Sequence, residues 1–399
     1  MTSKKMDNAL AHFGKVLAQY DVGASFPITA SALARNKGVI EKYQEQNIEF
    51  AVHGLYHIDH SVLTFNQQIA DFTKARQTFG ERGINSSGFR SPYLRFHEKT
   101  IKAISETGFL YDSSSSLNWD VLNGSETEAY TNVLKFYRSE AAEHYPSLPR
   151  IVDGIVEIPY SLPDDESLVE RLSFPNMEEM IKPWLKILEI TYQKEELFTL
   201  GLHPERIYQC EIPLEEVLKK AKKLTPKVWI ARLDEIAQWW NQRSKVKPVI
   251  LSIAPEEFLV KIKQMPGLTV LGRNLEIISP TKKWDKRHVV AKGNTIHFRS
   301  KLRPFVGVSP NSDRSLKRFL REQGFILETS HSSYTHSIFL EYPNFYREHE
   351  KSLLSKLEAH EGPLLRFGRW PYESKSALCI SGDIDALTIW DYALRIFRK

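Results

Sequence analysis

The 399-residue sequence predicts an α/β fold, with a parallel sheet or barrel in residues 1–244 and a smaller α+β unit in 245–369. Three observations carry this. Short apolar runs alternate with helical periodicity from about residue 8 to 240, the pattern of strands joined by crossover helices. Around "NQRSKVKP", residues 241–248, that alternation stops, and 249–305 reads as strands with glycine-containing turns, which favours antiparallel pairing. The length also exceeds that of one ordinary domain and suits two or three.

The elements follow in order. Leu10, Phe13, Val16 and Leu17 stand at helical spacing over residues 8–20, and "VGASFPIT" then reads as a short strand ending near a proline. "SALARNKGVIEKYQEQ" reads as one helix, "IEFAVH" as a strand, and "SVLTFNQQIADFTKARQTFGERG" as a long helix. "SSGFRSPY" runs from strand into loop, "HEKTIKAISETG" is helical, and "FLYDSSS" is a further strand. Beyond residue 150 come the strand "GIVEIPYSLPDD", a helix in "NMEEMIKPWLKILEITYQK", the strand "LFTLGLHP", a helix near 213–223, and a strand and helix in "KVWIARLDEIAQWW". After 305, "DRSLKRFLREQG" and "EKSLLSKLEAH" read as helices separated by strand. No repeat or low-complexity tract is evident.

Composition narrows the class. With 42% hydrophobic and 26% charged residues, the chain has material for a core and does not read as disordered. The net charge of +5 is spread among acidic residues, as in "EEVLKKAKKLTPK", so nucleic-acid binding gains little from it. Two cysteines, Cys210 and Cys379, exclude a disulfide framework and fit a reducing compartment. The N-terminal stretch lacks the apolar core of a secretory signal, and no run suits a transmembrane helix, so a cytoplasmic location is expected.

Several polar residues stand where strands of an alternating fold end. "HGLYH" places His53 and His57 four apart, a spacing that 13 histidines in 399 residues produce by chance about 0.4 times. Singly, these histidines read first as satisfied polar residues. "RSPY" (Arg90 to Tyr93) reads as a turn with an arginine, Asp112 before four serines as a cap or loop, and His203 before Pro204 as a strand terminus. Far downstream, "SALCIS" is a buried-type strand and "GDID" ends it. Asp383 and Asp385, two apart, point to the same side of an extended backbone, although an exposed acidic turn is the plainer reading.

As an ordered set these stretches resemble the NodB-homology polysaccharide deacetylases, carbohydrate esterase family 4. "HGLYH" stands in place of that family's metal-binding H-[ST]-x-x-H, with Gly54 where Ser or Thr is usual. "RSPY", "YDSS" at 111–114 and "LGLHP" at 200–204 match its arginine, aspartate and late histidine motifs. The resemblance implies a distorted NodB-type (β/α) barrel. The family's first strand ends in an Asp-x-Asp motif, which residues 1–28 lack and "GDID" supplies. A circular permutation is therefore expected, with a strand and helix in 370–399 completing the barrel of residues 1–244 or that of a neighbouring copy, which leaves a homo-oligomer open.

The resemblance implies a metal-dependent hydrolase removing N-acetyl groups from an N-acetylated sugar or glycan precursor. A divalent metal, zinc first, would be held by His53, His57 and Asp385. Asp383 would be the general base, oriented by Arg90, and His203 the acid. Asp112 would position that histidine or the substrate, and the backbone N–H of Tyr93 would stabilise the oxyanion. Two alternatives remain: an amidase acting by the same centre on a non-carbohydrate C–N bond, and a catalytically silent carbohydrate-binding protein.

Overall fold

A computed structural model describes residues 2–174 and 176–385. The helix expected after Asp385 lies outside the described residues.

Helix α1 (Ser3–Gln19) is capped by Thr2 and buries Leu10, Phe13, Val16 and Leu17, the stripe its spacing implies. β1 (Ala24–Ile28) follows. The stretch read as one helix over 31–46 is two, α2 (Ala30–Arg35) and α3 (Lys37–Gln44). The break is at Asn36, whose amide donates to Ala32 O at 2.7 Å and so competes with the helical ladder. β2 (Ile48–Val52) leads through a loop to α4 (Phe65–Glu81). That helix starts later than its apolar pattern because Thr64 and Gln67 form a capping box.

β3 (Gly88–Phe89), α5 (Glu98–Glu106), β4 (Tyr111–Asp112), β5 (Ser116–Asn118), α6 (Glu128–Tyr137), β6 (Glu140–Ala141), β7 (Arg150–Val152), β8 (Ile155–Glu157) and β9 (Tyr160–Leu162) come next. α7 (Met177–Gln193), β10 (Leu197–Gly201), α8 (Ile207–Lys223), β11 (Val228–Ile230) and α9 (Leu233–Arg243) complete this region. α8 starts before Pro213, upstream of the expected 213, because Ile207 and Cys210 extend the buried stripe of Leu214, Val217 and Leu218.

Residues 249–299 hold β12 (Val249–Ala254), β13 (Glu257–Lys261), β14 (Val270–Arg273), β15 (Glu276–Ile277), β16 (Thr281–Lys283), β17 (Val289–Ala291) and β18 (Thr295–Arg299), and their pairings with one another are antiparallel, as expected. β19 (Arg303–Val308), α10 (Arg314–Glu322), β20 (Leu327–Thr329) and β21 (His336–Leu340) form a small parallel sheet with its helix. After α11 (Glu350–Ala359), β22 (Leu364–Phe367) joins β14.

β23 (Ser376–Ser381) then leaves this region and enters the large sheet, running parallel to β10 and β11 along its length and meeting β1 at Ser25. The sheet order is β6-β5-β9-β10-β23-β1-β2-β3-β4-β8-β7. β8 and β9 stand on opposite flanks of this order, yet the two residues Ile158 and Pro159 join them. A three-residue step spans at most about 11 Å, so the sheet must curl until its flanks nearly meet. The result is a curled, barrel-like α/β sheet, with the smaller sheets beside it. The two regions share apolar packing among Leu233, Trp240, Leu316, Leu353 and Trp370, and Arg366 pairs with Glu195 at 2.7 Å.

Candidate active site

The polar residues singled out in the sequence lie at carboxyl ends of parallel strands: His53 after β2, Arg90 after β3, Asp112 at the end of β4, His203 after β10, and Asp383 and Asp385 after β23. This is the end of a parallel sheet where chemistry is usually built.

β23 continues past its last paired residue. Ile384 N donates to Pro27 O at 2.8 Å and Ile384 bridges Ile28. With Ile384 wholly buried in the core, extended alternation turns Asp383 and Asp385 to the opposite side. Gly382 makes this approach feasible, since a Cβ there would lie 1.6 Å from Leu202 O.

Asp385 Oδ1 is 3.2 Å from His57 Nε2 and 3.8 Å from His53 Nε2. One donor atom from each of these three residues falls within 4.8 Å of the others. His53 Nδ1 lies 2.8 Å from Arg90 O, an arrangement that puts the ring proton on Nδ1 and leaves the Nε2 lone pair free. Burial drives the His53 pKa down to about 4, so the ring is neutral. His53 Nε2 is a buried atom with no hydrogen-bond partner among the described residues, and the buried Asp385 Oδ1 faces His57 Nε2. Burial alone would raise the Asp385 pKa, but His57 beside it holds it well below the usual carboxylate range. An orphaned imidazole nitrogen on a neutral ring beside an ionised carboxylate suits a divalent cation.

Asp383 is held by Arg90, whose Nη1 donates to Oδ1 at 2.9 Å. The guanidinium is itself fixed: Nε donates to Ser113 O and Nη2 to Ser113 Oγ, each at 2.9 Å, and its carbon lies 4.7 Å from the Tyr160 ring centre. Asp383 Oδ2 lies 3.6 Å from His53 Nε2. Tyr93 has left-handed backbone (φ 60°) and sets its ring edge-on to His57 at 4.6 Å. Strained backbone of this kind in a non-glycine residue gathers at functional sites.

Asp112 was expected to position His203 or the substrate, and its hydrogen bonds go to Ser114. The carboxylate on His203 belongs to Asp165, with Oδ1 at 2.7 Å from Nδ1 and Oδ2 accepting the backbone N–H at 2.8 Å. Burial lowers the His203 pKa, but Asp165 outweighs it and holds the imidazole well above its usual value. Asp112 instead accepts from Ser114 N and Oγ, at 3.0 and 2.6 Å, and Ser114 Oγ in turn accepts from Ser91 N at 2.8 Å. Asp112 thus braces the loop that carries Arg90. Burial pushes its pKa up to about 7.

A cleft of about 480 Å³ opens over these groups, with His57, His203, Asp383 and Asp385 among its lining residues. Tyr93, Phe136, Tyr137 and Tyr160 give it an aromatic side, and Arg171 and Arg206, ion-paired with Glu166 and Glu170, a charged one. Phe136 and Tyr137 come from α6 and Asp165 from the loop after β9; sequence reasoning missed all three. The signal for Asp165 was the pair Asp164–Asp165 following a strand and a proline. Nothing local marked the aromatics.

Residues 5–111 match the family model described as polysaccharide deacetylase. The matched span contains His53, His57, Arg90 and Tyr93. No curated protein matches the chain. Among solved structures, the chain is similar to a probable polysaccharide deacetylase from Pseudomonas aeruginosa PAO1, at 21% identity over 59% of this chain and 73% of that one, TM-score 0.47. It is also similar to a protein from Mycobacterium smegmatis described as a putative polysaccharide deacetylase (21% identity, 58% and 76% covered, TM-score 0.46) and to Puue allantoinase (19%, 59% and 72%, TM-score 0.47). Over residues 5–111, the span that holds the two histidines and the arginine, the chain is similar to the polysaccharide deacetylase family.

Proposed function

We propose that this chain is a metal-dependent deacetylase that hydrolyses the amide of an N-acetylated sugar or glycan precursor. The observation that carries the reading is the meeting of Asp383 and Asp385 with His53, His57, Arg90 and His203 at one cleft, although 293 residues separate Arg90 from Asp383. A decayed homologue would be expected to have lost at least one of them.

His53, His57 and Asp385 would hold the metal, zinc first, which when bound supplies a Lewis acid for the acyl oxygen and lowers the pKa of water toward about 7. Asp383 stays out of the ligand set and accepts the proton of the attacking water, its free oxygen aimed by the Arg90 hydrogen bond. His203, kept protonated by Asp165, donates to the leaving amine nitrogen. The Tyr93 N–H is assigned to the developing oxyanion. The exposed ring of Phe136, 5.9 Å from Tyr93, offers an apolar surface for a sugar face.

The same proposal treats residues 1–244 and 370–399 as one permuted barrel and 245–369 as an accessory domain. No described helix is long and apolar enough to cross a membrane. A cytoplasmic location and a precursor substrate belong to the proposal. The test is acetate release from N-acetylated sugar oligomers and precursors by the wild type and by Asp383→Asn. Release by the wild type with loss in the variant supports the reading. No release from any N-acetylated sugar by a metal-loaded wild type rejects the substrate class, and equal rates in both proteins reject Asp383 as base.

A further inference from the structure

The segment between the two site histidines is Gly54–Leu55–Tyr56, and its path is set by groups outside the metal-ligand set. Gly54 has φ +80°, and a Cβ there would lie 2.5 Å from Cε1 of His60. His60 therefore occupies the space a side chain after His53 would take. Its ring is wholly buried, set edge-on to Phe72 at 5.1 Å and to Phe89 at 5.9 Å. Its Nε2 lies 3.1 Å from Asp71 Oδ2, on α4. The same oxygen accepts the backbone N–H of Leu55 at 3.0 Å. On the other side, Ala30 N and Ser31 N donate to Gly54 O and Leu55 O at 2.9 and 3.1 Å. The loop carrying His57 is gripped between α2 and the Asp71 carboxylate.

We propose that Asp71 and His60 form a positioning clamp for His57: through the Leu55 amide and the space over Gly54, they fix the loop so that the His57 imidazole faces Asp385. Asp71 is 5% exposed and joins a helix to this loop through a charged acceptor, the kind of bond worth most when buried. Neither residue lines the cleft, so the effect passes through the loop and not through contact with substrate. The inference deepens the metal reading and rests on His57 being a ligand.

The test combines zinc affinity of the metal-free protein, by calorimetry or chelator competition, with amide hydrogen exchange of residues 54–60 in the same metal-free protein. The variants are Asp71→Ala, Asp71→Asn, which retains an acceptor oxygen for Leu55 N–H, and His60→Phe, which keeps the ring packing but loses the Nε2 donor. Asp71→Ala is expected to weaken zinc binding about 10- to 100-fold, as loss of groups behind metal ligands usually does, and to speed exchange at 54–60. Asp71→Asn should recover most of both losses, and His60→Phe should fall between. Gly54→Ser should weaken zinc binding as well, and adding His60→Ala should restore part of the loss by making room. Wild-type affinity and exchange in Asp71→Ala and His60→Phe would overturn the clamp. If the wild type binds no zinc while Asp71→Ala still speeds exchange at 54–60, the metal reading falls and the clamp on the loop stands. If Asp71→Ala fails to fold, His60→Phe and Asp71→Asn decide.

Discussion

Arg90 Nη1 donates a 2.9 Å hydrogen bond to Asp383 Oδ1 across 293 residues of sequence. The bond joins an arginine fixed by Ser113 and Tyr160 to a carboxylate delivered by the last described strand. It therefore ties the segment after β3 to the segment after β23 at the cleft. Removing the guanidinium should free Asp383 to rotate without removing a metal ligand. Arg90→Met is expected to keep its zinc and lose about 10²- to 10⁴-fold in kcat, the range of a misplaced general base. Steady-state kinetics with metal analysis on one sample checks this, and unchanged kcat would remove Arg90 from the account.

Asp165 predicts a pH effect. The acid role needs protonated His203, and Asp165 is what holds its pKa above normal against burial. In Asp165→Asn burial prevails and the pKa drops, so the alkaline limb of the kcat/KM profile should move to lower pH. A profile whose alkaline limb does not move would assign that limb to another group.

Gly382→Ala should damage the fold as well as the site. The added Cβ would meet Leu202 O at 1.6 Å, and neither backbone can yield without moving Asp383 or His203. Overpacking of this kind costs on the order of 1–3 kcal/mol or more. A lowered melting temperature together with lost activity is the expected outcome, read by calorimetry and acetate release. Melting and turnover like the wild type would mean that the two backbones lie further apart.

Away from the site, Glu328 sets a stability window. Burial alone would raise its pKa, but hydrogen bonds from Arg303 Nε and Nη2 at 2.6 and 2.5 Å and the contact with His336 hold it near 2, against an ordinary 4.5. A depressed carboxyl pKa stabilises above the unfolded value and loses that contribution as pH falls from 4.5 toward 2. The amount is at most about 3 kcal/mol. Glu328→Gln should lower stability at pH 6–7 and flatten its decline between pH 4.5 and 2, measured by denaturant unfolding. A variant with the wild type's acid profile would contradict this linkage.

Much of this arrangement was legible in the sequence, because strand-end residues carry their positions with them. His53 and His203 each follow an apolar run, Arg90 follows the two-residue strand Gly88–Phe89, and the spacing of Asp383 and Asp385 sets both on one side of an extended chain. What failed was pairing at a distance. Asp112 was assigned to position His203 or the substrate, and its own Ser114, two residues on, captures it in a local turn that needs no chain closure. Asp165 was passed over because nothing in "SLPDD" distinguishes a buried partner of a histidine from a cap. Asn36 broke a helix whose apolar periodicity ran straight through it. The clamp of Asp71 on Leu55 depends on a backbone amide, which no side-chain pattern displays.

The central claim is that His53, His57 and Asp385 hold one divalent metal while Asp383 serves beside it. Elemental analysis per chain, on protein loaded with zinc and desalted, tests this most directly. The account predicts about one metal per chain in the wild type and in Asp383→Asn, and far less in His53→Ala, His57→Ala and Asp385→Ala. Undiminished metal in those three variants, or loss of metal in Asp383→Asn, would contradict it.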